Sequence, residues 1–277
     1  MAGSSSSLPN TTAEPGTAKA VAATPGAGHG AGAGASVAPL LEVSHLAAWY
    51  GAAQILFDVD LQVRRGEVVA LMGRNGAGKS TTLKAVMGLL DRRRGGVRFM
   101  GRDIARKAPH EIARLGLGFV PEDRRICSDL TVLENLEVGR QGPRRWPDGS
   151  AAPVWSPEAL FKLFPNLGEM PDRPGGRTSG GEQQMLTVAR TLMGNPFVVL
   201  LDEPSEGVAP VIVEQMAQMI LALKAQGVSI LLSEQNMHFA ELVSDRAYVL
   251  EKGQIRYQGA MSELAANDEV RRAYLSM

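Results

Sequence analysis

The sequence predicts an α/β fold with a mostly parallel sheet, a small antiparallel layer ahead of it, and a helical block inserted between strand-bearing parts. Three observations carry this. A short apolar run, Glu67 to Met72, leads into a glycine-rich turn, after which Leu83, Val86, Met87 and Leu90 recur at the spacing of one helix face. From Ser179 onward, apolar strand runs and helical stripes alternate, which is the pattern of a parallel sheet. Between Glu122 and Pro171 helix starts replace strand signals.

In chain order, Met1 to about Ala38 is rich in Gly, Ala, Ser, Thr and Pro and cannot bury enough apolar surface to offset its ordering entropy. It is expected to be a disordered tail (residues 1–38), with His29 incidental, ahead of one folded domain at 39–277. Leu41, Val43 and Leu46 suggest a strand that Trp49-Tyr50-Gly51 turns, and Ile55 to Val63 continues as one or two more. Arg92-Arg93-Arg94 is expected to be a solvated turn, and Val97 to Met100 a hairpin strand. Pro109 to Leu115 reads as a helix with His110 exposed, and Leu117 to Val120 as a strand that Pro121 stops.

Thr131 with Glu134 three residues on is a capping box for a helix over Val132 to Val138. Gly139 to Val154 reads as a loop, and Ser156-Pro157 opens a helix through Leu163. Phe161 and Phe164 are expected in the core. Ser179-Gly180-Gly181 opens a helix bearing Met185, Leu186, Val188, Ala189, Leu192 and Met193. Phe197 to Leu201 is a buried strand, Ile212, Met216, Met219, Ile220 and Leu223 form the next stripe, and Val228 to Leu232 and Ala247 to Leu250 are further strands. Gln254 to Gln258 ends the sheet, and two short helices follow.

The 277 residues suffice for one large domain or two small ones, and 44% hydrophobic content fits a sizeable core. Lys+Arg and Asp+Glu both number 29, giving a net charge of +0 and little support for bulk nucleic-acid binding. A single cysteine, Cys127, excludes an intrachain disulfide and fits a reducing compartment. No run approaches the roughly eighteen apolar residues that span a bilayer, and the N-terminus lacks a secretory pattern. A cytoplasmic protein is expected, and work at a membrane requires a partner that holds it there.

The turn itself reads GRNGAGKST, from Gly73 through Arg74, Asn75, Gly76, Ala77, Gly78, Lys79 and Ser80 to Thr81, and matches G-x-x-x-x-G-K-[ST] between a strand and a helix. Gly76 and Gly78 let backbone N–H groups curl round an anion, and the helix that opens there adds its positive end. Lys79 supplies a mobile cation for β- and γ-phosphates, and the Ser80 hydroxyl suits Mg²⁺. A connecting turn that binds nothing is the alternative, and the ordered lysine and hydroxyl argue against it.

Three further stretches narrow the chemistry. The apolar strand Val198 to Leu201 ends in Asp202-Glu203, where one carboxylate can hold Mg²⁺ and the next can polarise an attacking water. An exposed acidic turn is the alternative. TSGGEQQ, Thr178 to Gln184, is a bare-backbone helix start able to present donors to phosphate, or a plain N-cap. Tyr50 could stack on adenine or simply pack.

Tyr50, GRNGAGKST, FVPED, TSGGEQQ, VVLLDEPS and SEQN follow one another in a single series. Over about Leu40 to Met277 the chain resembles the ATPase subunits of ABC transporters. The YG turn and the VPED-RR, SGGEQQM and DEPS-G-AP segments are most similar to the branched-chain amino-acid importers. The resemblance implies a P-loop NTPase (RecA-like) core and a helical subdomain at about 122–178 that receives a permease helix. It implies ATP and Mg²⁺ as cofactors and two ATPase subunits, homo- or heterodimeric, facing head to tail. Ser179, Gly180 and Gly181 would then meet the γ-phosphate held by the other subunit. Glu203, Lys79 and Gln235 are the implied catalytic groups, and Ser80, Asp202 and Glu122 the implied metal ligands. The implied partners are a membrane permease and, indirectly, a solute-binding protein, with the chain peripheral on the inner face of the membrane.

Four positions depart from the family pattern. Thr178 replaces a leucine, Glu122 a glutamine, Ala209 an aspartate and Gln235 a histidine, with His238 expected on the surface. These suggest a site that binds ATP and hydrolyses it slowly, or that depends on a dissimilar partner subunit. The alternatives are a soluble ABC ATPase acting on ribosomes or DNA, a non-hydrolysing nucleotide switch, and a small-molecule kinase. A single phosphate loop without a heptad run disfavours the first, and SGGEQQ has no task in the last.

Overall fold

Two sheets organise the computed structural model, which describes residues 38–275. The expectation for the N-terminal tail and His29 lies outside the described residues. The first sheet is antiparallel, in the order β2-β1-β4-β5, from β1 (Leu41–Tyr50), β2 (Ala53–Val63), β4 (Arg92–Phe99) and β5 (Arg102–Asp103). The second has the order β10-β9-β3-β8-β7-β6, from β3 (Val68–Met72), β6 (Leu117–Val120), β7 (Val198–Asp202), β8 (Ser229–Glu234), β9 (Arg246–Glu251) and β10 (Gln254–Ala260). Its neighbours pair in parallel except β9 with β10. Every residue of β3, β7 and β8 is buried, as continuous apolar runs require.

The strand period sends alternate residues of these runs to opposite faces of the sheet, with Ala70 and Met72 of β3 packing with Ala247, Val249 and Leu264. Val69, Leu71, Val198 and Leu200 pack with the antiparallel sheet and α1 (Lys79–Val86). Val199, Leu201, Ile230 and Leu232 pack with α6 (Gly180–Leu192), α7 (Pro210–Ala225) and the helical block. That block holds α3 (Val132–Val138), α4 (Pro157–Leu163) and α5 (Pro165–Gly168), following α2 (Pro109–Leu115) and β6; α8 (Met237–Val243) and α9 (Met261–Ala266) complete the longer helices.

Helix starts follow local chemistry. Thr131 Oγ1 accepts from Glu134 N at 3.2 Å, and Glu134 Oε2 accepts from Thr131 N at 2.8 Å. Ser179 and Glu182 cap α6 in the same reciprocal way, and Ser156 Oγ caps α4 by accepting from Ala159 N at 3.2 Å, each cap contributing about 1 kcal/mol. Phe164 is buried and Phe161 packs against the same core.

Two expectations need correction. Arg92-Arg93-Arg94 is no turn but the start of β4, paired with Trp49, Ala48 and Ala47 of β1. Its side chains find partners there: Arg92 lies 4.8 Å over the Trp49 ring, and Arg93 donates to Ala85 O. The helix after the phosphate loop stops at Val86, because Gly88 turns left-handed at φ +75°, and Leu90 packs from beyond its end. The loop expected at Gly139–Val154 is present, and it is tied down by a bridge from Arg145 to Ala151. Trp146 packs at 4.7 Å on Phe197, and Arg65 covers its ring at 3.9 Å.

Candidate active site

Parallel register brings the chemistry to one edge. Met72 aligns with Glu234, and Asp202 with Ser233, so the glycine-rich turn, Asp202-Glu203 and Glu234-Gln235 all leave the sheet at the carboxyl ends of β3, β7 and β8. Gly78 is the N-cap of α1 at φ +110°, and a Cβ there would lie 2.9 Å from Leu56 Cδ2. With no side-chain cap on α1, its first amides face the loop's concavity. Arg74, Asn75 and Gly76 are exposed, while Gly73, Ala77, Lys79 and Thr81 are buried.

Lys79 Nζ donates to Gly73 O at 2.9 Å and Arg74 O at 3.2 Å, and pairs with Glu203 Oε1 at 2.9 Å. Both side chains are nearly inaccessible, 2% and 7% exposed, so this is a buried ion pair. Ser80 Oγ and Ser233 Oγ both donate to Asp202 Oδ1, at 2.9 Å and 2.7 Å. Among the described residues, Asp202 Oδ2 is buried with no hydrogen-bond partner. Burial pushes the Asp202 carboxyl above its ordinary value, against the two serine hydrogen bonds.

Glu203 stands at φ +46°, its amide donating to Ser233 O and Oγ, both at 3.1 Å. Burial works to raise its carboxyl. A hydrogen bond from Glu206 and the Lys79 ammonium outweigh burial and hold it below its usual value. Glu206 is pushed up to about 7, first by that same hydrogen bond, then by burial and the charges of Glu203 and Glu122. The hydrogen bond between the two carboxyls thus favours protonation of Glu206 over Glu203. Glu234 is fully buried and raised by that burial; it accepts from Ser205 N at 3.1 Å and from Gln235 N and Asn236 N, both at 3.2 Å. It fastens the segment after Glu203 to the segment carrying Gln235.

Gln235 and His238 are exposed, and Tyr50 ends β1 at 48% exposure. Ala209 is the N-cap of α7. Glu122 is exposed and, among the described residues, makes no hydrogen bond or ion pair; it borders a depression with Arg124, Glu206 and Gly207. Ser179 Oγ accepts from Glu182 N at 3.3 Å. No hydrogen bond joins Ser179, Gly180 or Gly181 to the phosphate loop of the same chain among the described residues. Gly181 is bare for packing as well: a Cβ would lie 2.8 Å from Ile212 Cγ1. Ser233, Glu234 and Arg124 lie within quoted motifs that assign them no role, and Glu206 lies just beyond one.

The ABC transporter family profile matches residues 56–206, from within β2 through Glu206. The chain belongs to this ABC family. The high-affinity branched-chain amino acid transport ATP-binding protein BraG of Pseudomonas aeruginosa is 41% identical over 85% of this chain and 99% of its own. The lipopolysaccharide export system ATP-binding protein LptB of Haemophilus influenzae is 33% identical over 85% of this chain and 97% of its own. Among solved structures, a nucleotide-free ATP-binding cassette from an ABC transporter matches with TM-score 0.70 and 29% identity, over 84% of this chain and 97% of that one. An ABC cassette in its ADP conformation matches with TM-score 0.69 and 29% identity, over 85% and 98%. The chain is therefore an ABC ATPase subunit that binds nucleotide through this α/β cassette. Among the described residues no helix is long and apolar enough to cross a membrane.

Proposed function

We propose that this ATPase energises uptake of a polar solute, a branched-chain amino acid, through a separate membrane permease supplied by a solute-binding protein. The observation that carries the substrate is the near full-length similarity to BraG, at 41% identity against 33% for LptB. Two ATPase subunits sandwich ATP, each pairing its phosphate loop with the other's Ser179–Gly181 start of α6. Lys79 meets the β- and γ-phosphates, and Glu203 orients and polarises the attacking water. The donor set fits Mg²⁺: Asp202 Oδ2 is a buried oxygen without a hydrogen-bond partner among the described residues, and Ser80 Oγ lies beside the same carboxylate. Ser80 and Asp202 would hold the ion, which supplies charge neutralisation at the phosphates. Glu122 makes no hydrogen bond or ion pair with either, so the assignment rests on those two. The subunit sits on the inner face of the membrane through its permease.

Co-expression with the permease subunits of a branched-chain amino-acid importer tests the reading. Labelled leucine uptake into vesicles is expected to require internal ATP and to disappear with Glu203→Gln. Lipopolysaccharide export restored in a strain lacking its export ATPase, with no leucine uptake, would overturn the importer assignment.

Two smaller effects accompany this reading. Tyr50→Ala removes the stacking face and is expected to weaken ATP binding by about 1–3 kcal/mol, measured by titration with a fluorescent nucleotide. Unchanged affinity would return Tyr50 to ordinary packing. Glutamine can donate to a γ-phosphate but cannot become cationic. Gln235→His is therefore expected to raise steady-state turnover severalfold, and no gain would remove Gln235 as the limit on rate.

A further inference from the structure

We propose that Arg124 is an additional γ-phosphate contact, presented beside the start of α6 to the nucleotide held by the opposing subunit. The inference rests on the two-subunit reading above. Arg124 lies in the segment after β6 at φ +58°, with Arg125 at φ +26°, conformations that residues other than glycine rarely adopt. The segment is fastened to α6: Thr187 Oγ1 donates to Arg124 O, and Arg190 Nη2 donates to Arg125 O at 2.6 Å. This places the Arg124 guanidinium against the first turn of α6. A Cβ on Gly180 would lie 2.5 Å from Arg124 Nη1, so the glycine leaves room for this side chain.

The guanidinium has little to hold it there. Its Nη2 reaches Gly207 O at 3.5 Å, the limit of a hydrogen bond. Arg125, by contrast, pairs with Asp123 at 2.7 Å. Arg124 forms no ion pair among the described residues, although Glu122 and Glu206 border the same depression. A cation beside the N-terminus of a 13-residue helix also sits at the unfavourable end of the dipole. An anion at Ser179, Gly180 and Gly181 reverses that balance, because the helix start and the guanidinium then share one counter-charge. The planar fork suits two oxygens of a terminal phosphate. ADP lacks that phosphate, so Arg124 distinguishes the triphosphate and favours subunit closure with ATP alone.

The test uses the full chain carrying Glu203→Gln, with ATP-driven dimerisation followed by light scattering and ADP as control. Adding Arg124→Ala is expected to weaken dimerisation by about tenfold to a hundredfold. Fluorescent-ATP affinity of the dilute monomer should stay within about twofold, since the monomer holds nucleotide with its own phosphate loop and Tyr50 and without Arg124. Arg124→Lys should recover part of the loss, and Gly180→Ala, which displaces the guanidinium, should reproduce it. Mixed dimers fix the geometry. Lys79→Ala in one subunit and Arg124→Ala in the other should leave one intact site, whereas both substitutions in one subunit should leave none. No ATP-dependent dimer at all would overturn the two-subunit reading and this inference with it. A dimer indifferent to Arg124→Ala, or a loss matched by a fall in melting temperature that Arg124→Lys does not repair, would overturn this inference alone.

Discussion

Replacing Glu203 by glutamine is expected to cut ATP turnover by about 10²–10⁴-fold while leaving nucleotide binding intact. The side chain keeps its length, and its carbonyl oxygen can still accept from Lys79 Nζ, which lies 2.9 Å from Glu203 Oε1. The amide nitrogen can donate to Glu206, so the packing around the site is retained. What disappears is the carboxylate that polarises water. Single-turnover phosphate release measures this directly, and undiminished release would take Glu203 out of the catalytic role. A second readout follows from the hydrogen bond between Glu203 and Glu206. The Glu206 carboxyl is raised from 4.5 to about 7, chiefly by its hydrogen bond to Glu203. A folded value above the unfolded one means that the native state binds the extra proton. That contribution is complete below pH 4.5 and is lost as pH rises through about 7. Burial raises Asp202 and Glu234 and acts in the same direction, while the depressed Glu203 acts oppositely at lower pH. With Glu203→Gln, Glu206 returns toward an ordinary carboxyl. Melting temperature should then fall less steeply between pH 4.5 and 7 than in the wild type.

The phosphate loop was legible because it is local: an apolar strand, glycines and a helix start lie next to one another in sequence. The capping pairs Thr131–Glu134 and Ser179–Glu182 were legible or implicit for the same reason. What was hidden depends on register and distant partners. Arg92-Arg93-Arg94 has no apolar alternation, and only its pairing with β1 and the Trp49 ring makes it a strand. Trp146 sits in a sequence of loop character, and Phe197, far along the chain, makes it core. In the site, Asp202-Glu203 stood out at a strand end. The hydroxyl of Ser233 and the clamp made by Glu234 exist only because β8 lies between β3 and β7. The two glycines of the α6 start also carry internal duties, next to Arg124 and Ile212, that a phosphate motif does not suggest.

Lys79→Ala is expected to do two separable things. Without nucleotide the ammonium neutralises a buried carboxylate and satisfies the carbonyls of Gly73 and Arg74. Removing one member of a buried pair leaves the other charge stranded, a cost of about 3–5 kcal/mol. Glu203 can soften this through its hydrogen bond with Glu206, which places the loss near the lower end. For a chain of this size about 3 kcal/mol corresponds to a melting-temperature fall of roughly 6–12 °C. Lowering the pH should narrow the gap to wild type, since a protonated Glu203 no longer needs the cation. The double variant Lys79→Ala/Glu203→Gln should regain most of the lost stability, because no buried charge is left unpaired; the cycle reads the coupling of the pair. Affinity for ATP should not return with it, because phosphate then has no ammonium to meet. Stability and binding recovering together would mean that Lys79 acts on nucleotide only through Glu203. Equal melting temperatures for wild type and Lys79→Ala at neutral pH would show that the Lys79–Glu203 pair does not stabilise the nucleotide-free fold.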